Sequence, residues 1–477
     1  MPDSKTNSAP LAGFGVDLHL EARGKRVRAG LTDALREAVR SGRLAPGTRM
    51  PASRTLAADL GVARSTVTEC YAELVAEGWL TAQQGSGTRV AQPATPLRAA
   101  PVPRATQRRR PALGLLPGAP EFAEFPRAAW LAAARRALDS APHNAFGYGD
   151  PLGRMELRSA LADYLSRVRG VNADPGRIVI CSGFNHGLAL IAQALTAGGA
   201  RAVAVEAYGL DIYRDLLTDA GLSIPPLRVD DRGARTDDLE ALNGVSAALL
   251  TPAHQFPTGF ALSPERRAAA LDWARTTGGL ILEDDYDGEF RYDRKPVGAL
   301  QGLAPEHVVY FGTSSKSLAP GLRLAWIVVP ESILPAVAAA KGRVETVSVL
   351  DQLTLAEFLV SGAFDRHVRS RRQTYRRRRD ELVAALAQHA PEIRVTGMAA
   401  GLQAVLELPP GTEGQIVRAA AGRGLLVGGL SEFRHGSLDP HAAVADGLVV
   451  NYSALSDSAW EGALATLGSM LSTPRTK

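Results

Sequence analysis

The N-terminal part of the chain repeats apolar positions with the period of an α-helix, interrupted by short breaks. This pattern extends from Arg26 to Val90, and within Ser53–Glu77 two helical segments are separated by Leu60–Ala63. The glycine in this break, Gly61, can adopt the positive φ that a tight bend between two helices often needs. The pattern therefore predicts a helix-turn-helix.

The apolar positions give both helices a side to bury against a helix near Val27–Val39. Those of the first helix are Leu56, Ala57 and Leu60, and those of the second are Val67, Tyr71, Leu74 and Val75. The opposite face of the second helix starts with Arg64, Ser65, Thr66 and Thr68. Such side chains suit base edges and phosphates when a helix enters the major groove by its N-terminal end. The next residue, Glu69, would accept a hydrogen bond from cytosine or exclude some sequences.

A glycine-rich turn follows the second helix. Gly78–Thr81 leads into Gln83–Val90, which favours two short strands around Gly85, Ser86 and Gly87, the arrangement of a wing. A helix-turn-helix alone could also be a helical hairpin in an unrelated core. The wing and the segment Pro46–Arg54, however, resemble the GntR family of bacterial repressors over roughly residues 17–90.

The GntR resemblance implies DNA contacts at positions that match the family's own. They are Arg54, Arg64, Ser65, Thr66, Thr68 and the wing turn Gly85, Ser86 and Gly87. The chain departs from the family at Ala63, where members usually carry Ser or Asn around the start of the second helix. The resemblance therefore predicts how the domain docks on DNA, and it says less about which DNA sequence is preferred.

Residues 91–112 lose the apolar period and are rich in Pro, Ala and Arg, which predicts a semi-extended linker. Beyond it, in residues 113–477, helical segments alternate with short apolar runs at 177–180, 202–205, 279–282 and 307–310. This alternation predicts an α/β domain built on a largely parallel sheet. Two basic runs, Arg108–Arg110 and Arg371–Arg379, could contact DNA, but solvated charge is the favoured interpretation of both.

The composition of the chain indicates a cellular compartment and shows that charge is unevenly distributed between the two parts. The chain of 477 residues is longer than one hydrophobic core usually supports, which predicts more than one domain. No apolar run is long enough to cross a bilayer. A polar start at Met1–Pro10 and two distant cysteines, Cys70 and Cys181, favour a cytoplasmic protein without a disulfide framework or metal motif. Residues 1–112 hold 17 Lys and Arg against 9 Asp and Glu, whereas the rest hold 37 against 40. The basic end suits a phosphate-binding module.

The stretch Tyr310–Arg323 carries the chemistry of the second domain. Lys316 lies among small hydroxyl residues, and Arg323 follows seven positions later. An amine that can form an imine, next to donors for a phosphate, indicates pyridoxal 5'-phosphate, although a solvated turn would give a similar pattern.

Further cofactor contacts are expected where the apolar runs end. Asp284, after the run at 280–282, would pair with the pyridine nitrogen, and Tyr286 with the phenolic oxygen. The strand-to-helix stretch Ile180–Gly187 offers backbone N–H groups to a phosphate.

The order of these three segments resembles the fold-type I aminotransferases over residues 113–470. The resemblance implies that Lys316 carries the imine and that the phosphate contacts are Ser182, Gly183, Phe184, Thr313, Ser315 and Arg323. It also implies that Tyr148 reaches the phosphate of a neighbouring subunit, hence a homodimer, expected to be head-to-tail. Tyr208 would lie over the cofactor ring, although the Pro-Gly common there is missing. His254–Gly259 replaces the Asn-Pro-x-Gly of true aminotransferases, so His254 and Gln255 are carried over as cofactor-side candidates.

Together the two halves, and the motif Thr251–Gly259, resemble the MocR-type branch of the GntR regulators. The resemblance implies a transcriptional regulator that binds operator DNA and senses pyridoxal phosphate or its adduct with an amine effector. The alternative is a pyridoxal-phosphate-dependent aminotransferase carrying a DNA-binding module, and a third is a dimerisation scaffold that no longer uses its cofactor. The late strand Leu448–Tyr452 lacks the arginine that holds a substrate carboxylate, and Arg434 is the candidate effector contact. At most weak transaminase activity is therefore expected.

Overall fold

A computed structural model describes residues 27–83, 87–92, 113–118, 120–292, 298–344, 346–438 and 446–472. The chain divides into two compact units, residues 1–108 and 109–477. Gly85 and Ser86 of the expected DNA contacts and the arginine run 108–110 lie outside the described residues. In the part that is described, no helix is both long enough and apolar enough to cross a membrane.

The N-terminal unit is a winged helix-turn-helix, as the sequence predicts. Its elements are α1 (Val27–Arg40), α2 (Ser53–Leu60), α3 (Arg64–Ala76), β1 (Leu80–Gln83) and β2 (Gly87–Val90). Gly61 ends α2 with φ 65°, which lets the chain turn directly into α3. The strands β1 and β2 are antiparallel, with Leu80 opposite Val90. Leu35, Leu56, Val67 and Leu74 belong to the hydrophobic core of this unit.

The second unit alternates strands and helices in its first part and is mostly helical before its last strands. Its strands are β3 (Leu113–Gly114), β4 (Ile178–Cys181), β5 (Ala202–Glu206), β6 (Pro226–Leu227), β7 (Val229–Asp230), β8 (Gly233–Ala234), β9 (Val245–Leu250), β10 (Leu280–Asp284), β11 (Val308–Thr313), β12 (Ala325–Val328), β13 (Val395–Thr396), β14 (Gln403–Glu407), β15 (Leu425–Leu426), β16 (Gly428–Gly429) and β17 (Gly447–Asn451). Its helices are α4 (Arg127–Ser140), α5 (Met155–Arg169), α6 (Phe184–Ala197), α7 (Asp211–Asp219), α8 (Pro264–Thr277), α9 (Leu334–Lys341), α10 (Val349–Val360), α11 (Ala363–His389), α12 (Glu413–Gly422) and α13 (Asp457–Leu471).

A seven-stranded sheet forms the centre of this unit, in the order β4-β12-β11-β10-β9-β5-β6. Strand β12 runs antiparallel to both of its neighbours, and the other strands are parallel, so the sheet is mixed rather than wholly parallel. Successive strand residues alternate between two hydrophobic clusters. Val203 and Val205 belong to one and Ala204 to the other, so the sheet is buried on both faces.

A second, smaller sheet has the order β13-β14-β17-β16 and is antiparallel throughout. We call it the small sheet. Two shorter pairings complete the unit, the hairpin β7-β8 and the parallel pair β15-β3. The small sheet matters for the site because its first long strand, β14, begins at Gln403, whose side chain reaches the end of the large sheet.

Candidate functional site

A cavity lies at the carboxyl ends of four neighbouring strands of the large sheet. Glu206 and Asp284 are the last residues of β5 and β10, and Thr251 directly follows β9. Lys316 follows β11 by three residues. In open α/β sheets this edge is where ligands bind. The lining residues are Pro117, Gly118, Val205, Glu206, Tyr208, Gly209, Leu210, Tyr213, Arg214, Leu249, Thr251, Phe256, Asp284, Tyr286 and Lys316.

Lys316 is the one lysine that the described part of the chain contributes to this lining. Its Nζ donates to the backbone carbonyl of Gly118. Burial lowers the pKa of the ammonium, whereas the charges of Asp284 and Asp287 oppose this shift. A lowered pKa increases the fraction of neutral amine, which is the form that attacks a carbonyl carbon. Lys316 is therefore chemically suited to bind an aldehyde.

Asp284 faces the same cavity and is almost completely buried. Burial raises its pKa well above the usual value, while the positive charge of Lys316 acts in the opposite direction. Among the described residues none hydrogen-bonds its Oδ1 atom. A buried carboxylate oxygen without a partner fits a ligand that brings its own positive N–H group, such as a protonated pyridine.

Tyr286 contributes a phenol to the cavity wall. Its hydroxyl lies 3.0 Å from His254 Nδ1 and accepts a hydrogen bond of 3.0 Å from Gln403 Nε2. Burial and the carboxylates of Asp287 and Asp284 raise the pKa of this phenol well above its usual value. It therefore stays protonated near neutral pH and can donate to an anionic oxygen.

The predicted phosphate contacts form a separate cluster beside this cavity rather than part of its lining. The guanidinium of Arg323 donates to the backbone carbonyl of Ser182. Gly183, with φ 98°, lies so close that an added Cβ would be 2.5 Å from a nitrogen of Arg323. The Thr313 hydroxyl donates to the Ser315 hydroxyl at 2.9 Å. In this cluster the backbone at Gly183 therefore approaches the guanidinium of Arg323 closely.

An aromatic pair joins this cluster to the cavity. Phe184, the first residue of α6, contacts Tyr213 with ring centroids 4.4 Å apart. Tyr213 also lines the cavity, and the charge of Asp284 contributes to raising the pKa of its phenol. A flat ring bound between Asp284 and the start of α6 would therefore meet two aromatic side chains.

Tyr208 lines the cavity at its edge and pairs with Arg434 in an isolated antiparallel bridge. Arg214, a buried residue of α7, donates to the backbone carbonyls of Phe433 and Arg434 at 2.9 and 3.2 Å. Its burial lowers the pKa of the guanidinium. Arg214 thus holds the segment that carries Arg434 against the cavity wall.

The two cofactor-side candidates of the turn 254–259 do not line the cavity either. Gln255 is buried, and its Nε2 donates to Glu206 Oε2 at 3.2 Å and to the carbonyl of Tyr208 at 3.0 Å. Its Oε1 accepts from the Thr258 hydroxyl. His254 contacts Tyr286 and Asp287. Both residues hold the turn 254–259 in place, and a direct cofactor contact for them stays a prediction.

Tyr148 is 98% exposed in the single chain. Its exposed ring has the accessibility that a contact with another subunit requires. The role expected for Tyr148 stays a prediction.

Four further residues of the site were not expected from the sequence. Glu206, Tyr213 and Arg214 line the cavity but belong to no motif, and Gln403 reaches Tyr286 from a strand 117 residues further along the chain. Of these, Glu206 was the most accessible to sequence reasoning, because it ends an apolar run in the same way as Asp284 does.

The candidate DNA interface is the start of α3 with the neighbouring loops of the N-terminal unit. Arg54, Arg64, Ser65 and Thr68 are exposed, and Thr66 is half-buried. No side chain caps the start of α3, so its first N–H groups are open to a phosphate. Thr68 donates to the carbonyl of Arg64 at 3.0 Å, and Gly87, the described residue of the wing turn, is exposed.

Two exposed arginines beside the wing were not among the expected contacts. Arg49 and Arg89 form an isolated antiparallel bridge, and Arg89 donates to the carbonyl of Gly47 at 3.0 Å. The guanidinium of Arg49 lies close to Gly87, 3.5 Å from the place of a Cβ. The cluster of basic side chains next to the wing fits a phosphate backbone.

Two family models match the chain. Residues 28–90 match the description "Bacterial regulatory proteins, gntR family", and residues 113–439 match "Aminotransferase class I and II". Both matches fall on the units described above.

Individual proteins repeat this pairing. The HTH-type pyridoxine biosynthesis transcriptional regulator PdxR of Corynebacterium glutamicum is 32% identical over 415 residues, which cover 85% of this chain and 88% of that protein. The probable rhizopine catabolism regulatory protein MocR of Rhizobium meliloti is 32% identical over 433 residues, covering 85% and 87%. A solved archaeal alanine:glyoxylate aminotransferase superposes with a TM-score of 0.67 and 26% identity, covering 75% of this chain and 90% of that one.

Proposed function

The chain belongs to the MocR-type subfamily of GntR transcriptional regulators, and from this premise we propose that its DNA binding responds to pyridoxal phosphate or to an amine adduct of it. One observation carries the proposal. Lys316 and Asp284, the two residues that such a cofactor requires most, face the same cavity at the carboxyl ends of the large sheet. A DNA-binding unit of the GntR family precedes that domain in the same chain.

The residues present fit pyridoxal phosphate. Lys316 supplies the amine for its aldehyde, and the unpartnered Oδ1 of Asp284 suits its ring nitrogen. Arg323 and the close backbone approach at Gly183 suit its phosphate, together with Ser182, Thr313 and Ser315. When bound, the cofactor supplies an electron-deficient ring joined to an aldehyde that reacts with primary amines.

The protein's own groups would hold and orient this ligand. The Tyr286 phenol would donate to an oxygen of the ring, and Tyr213, which packs against Phe184, would supply an aromatic wall. The apolar wall made by Val205, Leu249 and neighbouring residues limits water. The lowered pKa of Lys316 keeps its amine reactive.

The N-terminal unit would carry the operator contacts. We assign base and phosphate contacts to Arg64, Ser65, Thr66 and Thr68 at the start of α3 and phosphate contacts to Arg54. Further DNA contacts are assigned to the wing turn Gly85–Gly87. These contacts predict binding that weakens steeply with salt, because each neutralised phosphate releases counterions.

A homodimer would complete the site. Tyr148 is almost fully exposed, and Leu131, Phe146, Met155 and Val360 are exposed apolar side chains of the same unit. Exposed apolar surface of this kind favours association with another subunit. In a head-to-tail pair, Tyr148 of each chain would reach the phosphate held by the partner. A soluble cytoplasmic protein is the setting we expect.

The effector is an amine-bearing molecule that reaches the cavity past Tyr208. Arg434 would hold an acidic group of it, because strand β17 carries Val449 and Val450 where an aminotransferase needs a carboxylate clamp. The same replacement weakens the second candidate function, turnover of α-amino acids. The likeness of the second unit to a solved aminotransferase nevertheless keeps that candidate testable.

Electrophoretic mobility shifts of a promoter fragment, with and without pyridoxal phosphate and a panel of amines, test the proposal. We expect sequence-specific binding whose affinity or band pattern changes with the cofactor or with cofactor and amine together. Binding without any sequence preference, or without any response, would refute it. Single-turnover transamination with the same amines decides the second function, since turnover at rates typical of enzymes, on the order of 1 per second or faster, would support an aminotransferase.

A further inference from the structure

Four buried polar side chains meet around the phenol of Tyr286. We call His254, Tyr286, Asp287 and Gln403 the Tyr286 cluster. His254 Nδ1 lies 3.0 Å from the phenolic oxygen and 2.8 Å from Asp287 Oδ2, and Gln403 Nε2 lies 3.0 Å from the same phenolic oxygen. All four are at least nine-tenths buried. Of the four, only Tyr286 lines the cavity.

The chemistry of these groups fixes which of them donate. An ionised carboxylate only accepts, so the hydrogen between His254 and Asp287 belongs to Nδ1 of the imidazole. His254 Nδ1–H therefore donates to Asp287 while the same nitrogen lies 3.0 Å from the phenolic oxygen, and Gln403 Nε2 donates to that oxygen. Because Gln403 donates to the phenolic oxygen, the hydrogen of Tyr286 serves as a donor, either to the carboxylate of Asp287, with which the phenol also hydrogen-bonds, or to an acceptor in the cavity.

The imidazole is held tightly by backbone on two sides. A Cβ on Gly401 would lie 2.3 Å from His254 Cε1, and one on Gly259 would lie 3.2 Å from His254 Nε2. Tyr292 and Tyr452 donate to carbonyl oxygens of the same 400–401 segment. Such close packing leaves the ring little freedom, so its contact with Tyr286 is maintained.

We propose that His254 and Gln403 are positioning residues that fix Tyr286 as the hydrogen-bond donor to the phenolic oxygen of the cofactor. This inference rests on the proposed function, since it presupposes that the cavity binds pyridoxal phosphate. His254 then acts through Tyr286 rather than by touching the cofactor. Gln403 belongs to the small sheet, so its hydrogen bond to Tyr286 links that sheet to the cofactor through the phenol.

A double-mutant cycle tests the proposal. Tyr286→Phe, His254→Phe and Gln403→Leu are made singly, and each of the last two is also combined with Tyr286→Phe. Pyridoxal phosphate is titrated into the full-length protein by absorbance, which gives both the dissociation constant and the spectrum of the bound cofactor. We expect Tyr286→Phe to weaken binding roughly three- to tenfold, the usual effect of one hydrogen bond, and to shift the band.

His254→Phe and Gln403→Leu should each weaken binding and shift the band in the same direction as Tyr286→Phe. In the Tyr286→Phe background, neither should add a further change, because the phenol through which they act is already gone. His254→Asn, which keeps an N–H donor, should recover part of the affinity. Gln301→Leu, a buried glutamine bonded to the backbone at Asn172, is the control and should leave the spectrum unchanged.

Additive effects in the double variants would overturn the inference, because His254 and Gln403 would then act independently of Tyr286. If His254→Phe does not fold, Gln403→Leu alone completes the cycle. A parent protein that binds no pyridoxal phosphate refutes the proposed function itself. A parent that binds it, with additive double variants, refutes only the role of the Tyr286 cluster.

Discussion

Asp284 and Asp285 are neighbours in the chain, yet their carboxylates have opposite electrostatic surroundings. Asp285 is bound by Arg169 through two hydrogen bonds of 2.6 and 2.8 Å and by the hydroxyl of Tyr310 at 2.7 Å. Asp284 lines the cavity with one oxygen that no described residue hydrogen-bonds. The chain thus satisfies one buried carboxylate internally and leaves the next one for a ligand.

This difference predicts contrasting effects of two isosteric substitutions. Asp284→Asn should weaken binding of pyridoxal phosphate at least tenfold with little loss of stability in the cofactor-free protein, because no described residue hydrogen-bonds its Oδ1 atom. Asp285→Asn should lower the free energy of unfolding by about 3–5 kcal/mol, since the buried Arg169 loses the negative charge to which it is bound. Thermal melts with and without cofactor measure both. Equal destabilisation by the two variants would contradict the assignment.

Lys316→Ala should abolish the visible absorption band of the bound cofactor, because no other lysine of the described residues lines the cavity. Lys316→Arg keeps the positive charge beside Asp284 but cannot form an imine, so it should lose the band as well. Binding of the promoter fragment without cofactor should remain within about twofold of the parent protein for both variants. An unchanged spectrum in either variant would place the imine on another lysine.

Burial raises the pKa of Glu206 to about 7, although Thr251 and Gln255 donate to its carboxylate. The usual value is 4.5, so the folded protein holds this proton more tightly than the unfolded chain does. The free energy of unfolding should therefore fall as the pH rises from 4.5 to about 7 and level off above it.

Glu206→Gln should remove this part of the pH dependence, up to about 1.4 kcal/mol per pH unit. Calorimetry of the cofactor-free protein between pH 5 and 8 is the measurement, with the exposed Glu331→Gln as the control. A slope that Glu206→Gln leaves unchanged would show that the carboxyl is ionised throughout this range. Glu283 and Glu289, whose pKa values burial also raises to about 7, should contribute the residual slope.

Arg64→Ala should weaken operator binding and reduce the slope of log K against log salt by about 1, the value for one phosphate contact. Arg64 is the exposed first residue of α3, where the helix start has no side-chain cap. Arg40→Ala is a matched control, because Arg40 is an exposed arginine of α1 that pairs with Glu37 at 2.8 Å. Fluorescence anisotropy at several salt concentrations distinguishes them. Equal slopes for the two variants would remove Arg64 from the interface.

Arg434→Gln should reduce the response to effectors that carry a carboxylate and leave the response to simple amines intact. Because the ion pair between Arg434 and the carboxylate is lost, the effector concentration needed for the response should rise roughly tenfold. Arg423→Gln, an exposed arginine after α12, serves as the control. The comparison uses promoter mobility shifts at increasing effector concentration. Uniform loss of response to every amine would instead indicate a structural role for Arg434.

The sequence predicted the parts of the site that follow directly from strand ends. Lys316, Asp284 and Tyr286 lie near the ends of apolar runs, and parallel strands bring such ends together at one edge. The helix-turn-helix and its wing could also be predicted, because the local period of apolar residues and the turn at Gly61 determine them.

Contacts between distant segments were beyond sequence reasoning. Gln403 is a single polar residue at the start of β14, and nothing in its neighbourhood indicates a contact with Tyr286. Arg214 is one charged position of an ordinary helix and becomes part of the cavity only because α7 packs beneath the 433–434 segment. The antiparallel direction of β12 likewise depends on the sheet into which it is inserted, not on its own residues.

The N-terminal unit has a hydrophobic core of its own, which includes Leu35, Val67 and Leu74. A unit that buries its own apolar residues does not depend on its fusion partner for folding. Natural recombination can therefore join such a DNA-binding unit to different second domains, with each half evolving separately. The same independence would let an engineer exchange the DNA-binding unit of this protein while keeping its second domain unchanged.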